Sequence, residues 1–126
     1  MVPLALRQWL VLFFLCLVCA GVPLLLEPLD TIAFLGFAGS GSVGDRLLGA
    51  SMLGIGAMSL IASRSHRTMV HTTVLLNAVW SGTSVFATVL LMEVTDVWGV
   101  WGFLLFFANA CALWLYWLAR LARANP

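Results

Sequence analysis

The sequence predicts an all-α integral membrane protein whose four transmembrane helices form a bundle. Apolar residues make up 63% of the chain and charged residues only 9%, whereas a soluble domain has about 25% charged residues. A chain of 126 residues cannot hide so much apolar surface in one core, so lipid must surround it. The few charges are separated by long uncharged runs, and backbone groups in lipid must bond within each segment, which favours helices.

Charged residues mark the limits of the predicted spans. The four uncharged runs contain 19, 17, 25 and 23 residues, and a helix needs about 20 residues to cross a hydrocarbon core about 30 Å thick. We predict one membrane domain with spans 1 to 4 at about residues 7–27, 46–63, 68–92 and 97–119. An alternative for span 1 is a signal peptide that ends near Val18-Cys19-Ala20.

The connection over residues 28–45 is uncharged from Thr31 to Gly44 and is too short to span. We predict an interfacial or re-entrant element over Thr31–Phe37, followed by a glycine-rich turn. Residues 39–44 read Gly-Ser-Gly-Ser-Val-Gly, which matches a dinucleotide-binding pattern. That pattern requires a preceding strand and an acidic residue about 20 positions later, where this chain has Arg64. We therefore expect no nucleotide site.

Arginines and acidic residues occupy alternate connections between the spans. Five of the six arginines lie before span 1, between spans 2 and 3, and after span 4: Arg7, Arg64, Arg67, Arg120 and Arg123. All five acidic residues lie in the other two connections: Glu27, Asp30, Asp45, Glu93 and Asp96. Because arginines near span ends stay on the cytoplasmic side, we predict that both termini face the cytoplasm.

Span 3 carries the clearest polar face. Its polar residues recur every three or four positions and so share one side of a helix: Thr73, Asn77, Ser81, Ser84 and Thr88. In span 4, Asn109 is at mid-depth, and we predict a hydrogen bond from it to Asn77 or Ser81. Such bonds stabilise helix packing. The alternative is a ligand-binding site formed by Thr73, Asn77, Ser81, Ser84 and Asn109.

Span 2 is rich in small residues, among them Gly49, Ala50, Gly54 and Ala57. Small residues four positions apart, such as Ala50 and Gly54, let two helices approach closely. We predict that these residues pack span 2 within the bundle. The alternative is a contact between copies or with another membrane protein.

We expect that the protein binds no cofactor. Two cofactor sites are the alternatives. Cys16 and Cys19 lie about one turn apart, and with Cys111 they offer soft ligands for copper(I). His71 offers one axial ligand for haem or chlorophyll. The competing interpretations are that the cysteines are small apolar packing residues and that the histidine lies at the membrane interface.

The inner parts of the spans contain no Asp, Glu, Lys or Arg and no catalytic set. Proton-coupled carriers depend on an embedded ionisable group, so we expect neither a proton-driven pump nor an enzyme. The net charge of +1 gives no basic face for nucleic acid.

Short motifs in the first half of the chain resemble the DoxX-like proteins and related small bacterial four-helix membrane proteins. They are Arg46-Leu47-Leu48-Gly49 with Gly54 and Gly56 in span 2, and Pro23 and Pro28 near the end of span 1. The resemblance implies a compact four-helix bundle in a bacterial inner membrane and adds no catalytic residues.

We expect a non-enzymatic accessory or scaffolding subunit whose partners are the lipid bilayer and either another membrane protein or further copies of itself. The first alternative is a protein that binds or transports a small molecule or a lipid through the polar face of span 3. The second is a subunit that carries haem, chlorophyll or copper.

Overall fold

A computed structural model describes residues 2–37 and 43–124. In these ranges the chain forms five α-helices and no strand: α1 (Leu4–Leu26), α2 (Pro28–Phe34), α3 (Val43–Ser63), α4 (Arg67–Met92) and α5 (Trp98–Arg123). Four of them, α1, α3, α4 and α5, are long and apolar enough to cross a membrane. This confirms the prediction of an all-helical chain with four helices of membrane-spanning length, which correspond to spans 1 to 4.

These four helices leave most of their apolar residues uncovered. In the most apolar 18-residue window of each helix, only 22% to 33% of the residues are buried. The exposed side chains include Leu4, Ile61, Phe86 and Leu105. Exposed apolar surface on this scale is stable in lipid and not in water, so the surrounding solvent is a bilayer.

The chain divides into two compact units, Met1–Val70 and His71–Pro126. The first unit contains α1, α2, α3 and the first turn of α4. The second contains the rest of α4 and all of α5.

In the first unit, α1 and α3 are antiparallel and meet at two glycines. A Cβ atom on Gly49 would lie 2.7 Å from the carbonyl oxygen of Gly21, and one on Gly21 would lie 2.9 Å from the carbonyl oxygen of Gly49. Further along α3, a Cβ atom on Gly56 would lie 3.3 Å from the Cβ atom of Leu17. Only residues without a side chain permit so close an approach of two helix backbones.

Arginine side chains join α1 and α3 at both ends of this pair. Nη1 of Arg7, in the first turn of α1, donates a hydrogen bond of 2.6 Å to the carbonyl oxygen of Ser63, the last residue of α3. At the other end, Nη1 of Arg46 donates to the carbonyl oxygen of Leu25 at 3.1 Å. Carbonyls in the last turn of a helix have no partner within the helix and carry partial negative charge. Each guanidinium therefore donates a hydrogen bond to a carbonyl oxygen near the C-terminal end of the neighbouring helix.

The short helix α2 follows α1 after one residue and begins three residues earlier than the element predicted over Thr31–Phe37. Pro28 at its first position suits a helix start, since that position needs no backbone N–H. The helix ends at Phe34 and is followed by Leu35 and by Gly36, whose φ of 87° is left-handed. The N–H of Gly36 donates to the carbonyl oxygen of Ala33, and the N–H of Phe37 donates to that of Ile32. This is a Schellman ending. Of the glycine-rich pattern predicted as a turn at 39–44, residues 39–42 lie outside the described residues, and Val43 and Gly44 belong to α3.

In the second unit, aromatic rings connect α4 and α5. The rings of Trp80 and Phe107 meet edge to face with their centroids 5.3 Å apart. Close by, a Cβ atom on Gly82 would lie 3.7 Å from the Sγ atom of Cys111. The ring of Trp80 therefore packs against α5.

We predict opposite stability effects for two Gly→Ala substitutions in α3. Gly49→Ala places a methyl group against the backbone of α1 and should lower the free energy of unfolding by about 1–3 kcal/mol. Gly54→Ala meets nothing within 4 Å, so the better helix propensity of Ala should raise it by about 0.5–1 kcal/mol. Reversible unfolding in detergent micelles, followed by far-ultraviolet circular dichroism, measures both. Equal effects of the two substitutions would contradict the close contact at Gly49.

Candidate functional site

The polar face predicted on span 3 lies on α4, and its middle part is deeply buried. Thr73 is 1% exposed, while Asn77 and Ser81 are 0% exposed. Thr88 is also buried, and Ser84 is half-buried. The three deepest residues follow one another at one-turn intervals, so they form a row about 12 Å long on one side of α4. This row of Thr73, Asn77 and Ser81 is called the polar row below.

Hydroxyl groups further along α4 bond to their own helix. Oγ of Ser84 donates to the carbonyl oxygen of Trp80, and Oγ1 of Thr88 donates to that of Ser84, both at 2.7 Å. Bonds of this kind to the residue four positions earlier are a common way for Ser and Thr to satisfy themselves in a helix. These two side chains therefore have no need of a ligand.

Two hydroxyls of the polar row differ from these. Oγ1 of Thr73 and Oγ of Ser81 are fully buried and have no hydrogen-bond partner among the described residues. Most buried polar atoms in proteins do have a partner, either in the protein or in ordered water. Because the two hydroxyls do not bond to their own helix, they offer hydrogen-bonding capacity on either side of Asn77.

Asn109 lies outside this row. It is exposed on α5, and its Nδ2 atom donates to the carbonyl oxygen of Leu105 at 2.8 Å. The hydrogen bond predicted from Asn109 to Asn77 or Ser81 is not formed, which corrects that expectation. The physical reason is that Asn109 is exposed on α5 and its amide is taken up by a carbonyl of its own helix.

The candidate metal and haem ligands are dispersed. Cys16 and Cys19 are exposed on α1, Cys111 is half-buried beside Gly82, and His71 is exposed on α4. Over residues 2–37 and 43–124, no group of three or more His, Cys, Asp and Glu side chains is placed to hold a metal ion. A cofactor on His71 or on the cysteines stays a prediction.

The small residues of span 2 fall on two different sides of α3. Gly49 is buried against α1, while Ala50, Gly54 and Ala57 are exposed. A Cβ atom on Gly54 would meet no other atom within 4 Å. Of the pair Ala50 and Gly54 that the sequence picks out, Gly54 therefore faces away from α1, and Ala50 is exposed.

The sequence interpretation missed Gly21 and the two arginine contacts. A glycine within an apolar helix is a signal for close approach, and Gly21 could have been paired with a glycine of span 2 on that ground. Nothing in the sequence indicates that Arg7 and Arg46 reach backbone carbonyls of another helix.

Comparisons of the chain with protein-family models, with curated proteins and with solved structures give no significant match. The resemblance to the DoxX-like proteins therefore stays a prediction.

Proposed function

We propose that the protein is a non-enzymatic integral membrane protein that serves as an accessory or scaffolding subunit of a membrane assembly. One observation carries this proposal: Ala50, Gly54 and Ala57 follow one another between Leu47 and Ile61 on an exposed side of α3, with open space beyond Gly54. These three residues are called the small-residue face below.

The small-residue face suits the helix of another protein. α3 already contacts α1 through Gly49 and Gly56, which lie on a different side of the helix. In lipid, helices associate through close van der Waals packing, and small residues let their backbones approach. A second such side on the same helix gives α3 the capacity to pack against two neighbours at once, as a scaffold requires.

The chemistry of the chain agrees with a supporting role. The inner parts of the long helices carry no Asp, Glu, Lys or Arg in the sequence. Embedded ionisable groups are the usual sign of proton relays and ion pathways. The proposal therefore assigns this protein to binding within the membrane and not to chemical catalysis or proton coupling.

We further propose that both termini face the cytoplasm of a bacterial cell, with α2 lying in the outer interface. Support comes from the arginines near the ends of the long helices. Aromatic side chains at both ends of α5 fit the same arrangement, because their amphipathic rings prefer the headgroup level. At one end, Trp101 donates to Asp96 at 3.0 Å; at the other, Arg120 donates to the hydroxyl of Tyr116 at 2.9 Å.

A second candidate function is the binding or transport of a small polar molecule by the polar row. The observation that favours it is the pair of fully buried hydroxyls of Thr73 and Ser81, which have no partner among the described residues. A bound molecule with both donors and acceptors would satisfy these hydroxyls, and so remove the cost of burying them.

Gly54→Leu tests the scaffolding role. A Cβ atom at this exposed position meets nothing within 4 Å, so the protein should fold normally, whereas a partner helix on the small-residue face should be displaced. We expect the Gly54→Leu protein, purified in native lipid discs, to lack membrane proteins that co-purify with the wild type. Mass measurement of the two preparations makes the comparison. Ala87→Leu, a similar enlargement at an exposed position of α4, is the control. A wild-type protein without any partner in native lipid would contradict the proposal.

Cysteine labelling tests the orientation. In a chain in which Cys16, Cys19 and Cys111 are replaced by Ala, His66→Cys lies between α3 and α4, and Val94→Cys lies between α4 and α5. An impermeant thiol reagent added to intact cells should label the Val94→Cys protein at once and the His66→Cys protein only after permeabilisation. The reverse pattern would place the termini outside.

The double substitution of Thr73→Val and Ser81→Ala tests the binding role. Native mass spectrometry should detect a small molecule on the wild type and lose it in the double variant. Thr83→Val is the control, because the Thr83 hydroxyl is exposed and bonds to carbonyls of its own helix. If the polar row serves packing alone, no molecule is found on the wild type. The free energy of unfolding of the double variant is then about 1–3 kcal/mol higher for each hydroxyl removed, because a buried hydroxyl without a partner destabilises the fold.

A further inference from the structure

An asparagine is exposed at the middle of the α5 helix. Asn109 lies about halfway between Trp98 and Arg123, the two ends of α5, and so at mid-depth in a membrane. Its side chain is exposed, and its one hydrogen bond within the described part of the chain runs to Leu105 of its own helix. The carboxamide has two N–H groups and a carbonyl oxygen, so most of its hydrogen-bonding capacity faces outward. Lipid tails cannot satisfy it.

The side of α5 that bears Asn109 has the spacing of a helix–helix seam. Its residues follow one another at alternating steps of three and four, the pattern of a heptad, and all of them are exposed: Gly102, Leu105, Asn109, Ala112, Tyr116 and Ala119. This set is called the α5 seam below. A Cβ atom on Gly102 would meet nothing within 4 Å, and Ala112 and Ala119 are also small, so another helix can approach closely.

A second copy of this chain offers the partner that Asn109 requires. Copies inserted with the same orientation, and related by a twofold axis along the membrane normal, hold Asn109 at equal depth. The partial negative charge on one carboxamide oxygen then faces the partial positive charge on the N–H groups of the other. The arrangement is self-complementary, as a twofold interface demands. In helix pairs, a single Asn at such a position sets the register and the number of strands.

We propose that the α5 seam is the contact surface of a parallel homodimer, in which the Asn109 carboxamides of two copies exchange hydrogen bonds. This proposal does not depend on the small-residue face on α3, so the failure of one does not affect the other. The seam accounts for a polar group that would otherwise be left in hydrocarbon.

Dimerisation in lipid tests the seam. The full chain, labelled with donor and acceptor dyes, is placed in vesicles of phosphatidylethanolamine and phosphatidylglycerol, and energy transfer is followed as lipid dilutes the protein. We expect Asn109→Leu to weaken association about 10-fold, in line with the loss of two exchanged hydrogen bonds in a membrane. Asn109→Gln keeps the carboxamide and should retain part of the association. Because Asn109 bonds only to its own helix, neither variant should alter the circular dichroism spectrum.

Cross-linking locates the surface in the same vesicles. In the chain without its native cysteines, Ala112→Cys should form a disulfide-linked dimer under mild oxidation. Phe86→Cys, which is exposed on α4, should not. A monomeric wild type, unchanged association of Asn109→Leu, or equal cross-linking at both positions would overturn the proposal. The first of these results would point to a different membrane protein as the partner of the seam.

Discussion

The close backbone contact between α1 and α3 is the constraint on which the first unit depends. In lipid there is no hydrophobic force that drives helices together, so association relies on packing and on polar contacts. Gly21 and Gly49 supply the packing, because any side chain there would meet the backbone of the other helix. Arg7 and Arg46 supply the polar contacts, each bonding to a carbonyl near the end of the other helix. Together they hold the pair antiparallel and in one register.

Polar side chains in the long helices satisfy their hydrogen bonds in different ways, and the difference separates supporting residues from candidate sites. Ser84 and Thr88 donate hydrogen bonds to carbonyls of their own helix, so their hydroxyl protons have partners. Thr73 and Ser81 are buried without a partner among the described residues, which makes the polar row the place where a small molecule is sought. Asn109 is exposed with most of its carboxamide unused. It marks a surface that protein, and not lipid, is proposed to cover.

Much of the secondary structure could be predicted from the sequence, and little of the candidate site. The charges limit the long uncharged runs, so four membrane-length helices follow from length and hydropathy. The polar spacing on span 3 places Thr73, Asn77 and Ser81 on one side of a helix. For Asn109 the sequence predicts only part of the placement. Its depth could be inferred from its position in the chain, but the side of α5 that it occupies could not, and it proved to be exposed.

The sequence by itself determined the class of solvent, the number of long helices and their approximate limits, because these depend on how many consecutive residues are apolar. Only the tertiary structure decided which side of each helix meets another helix. Gly49 and Gly54 look alike in the sequence, yet one touches the backbone of α1 and the other faces open space. The physical reason is that lipid and helix interior are both apolar. A membrane helix therefore shows little of the contrast between polar and apolar sides that marks the buried face of a soluble helix.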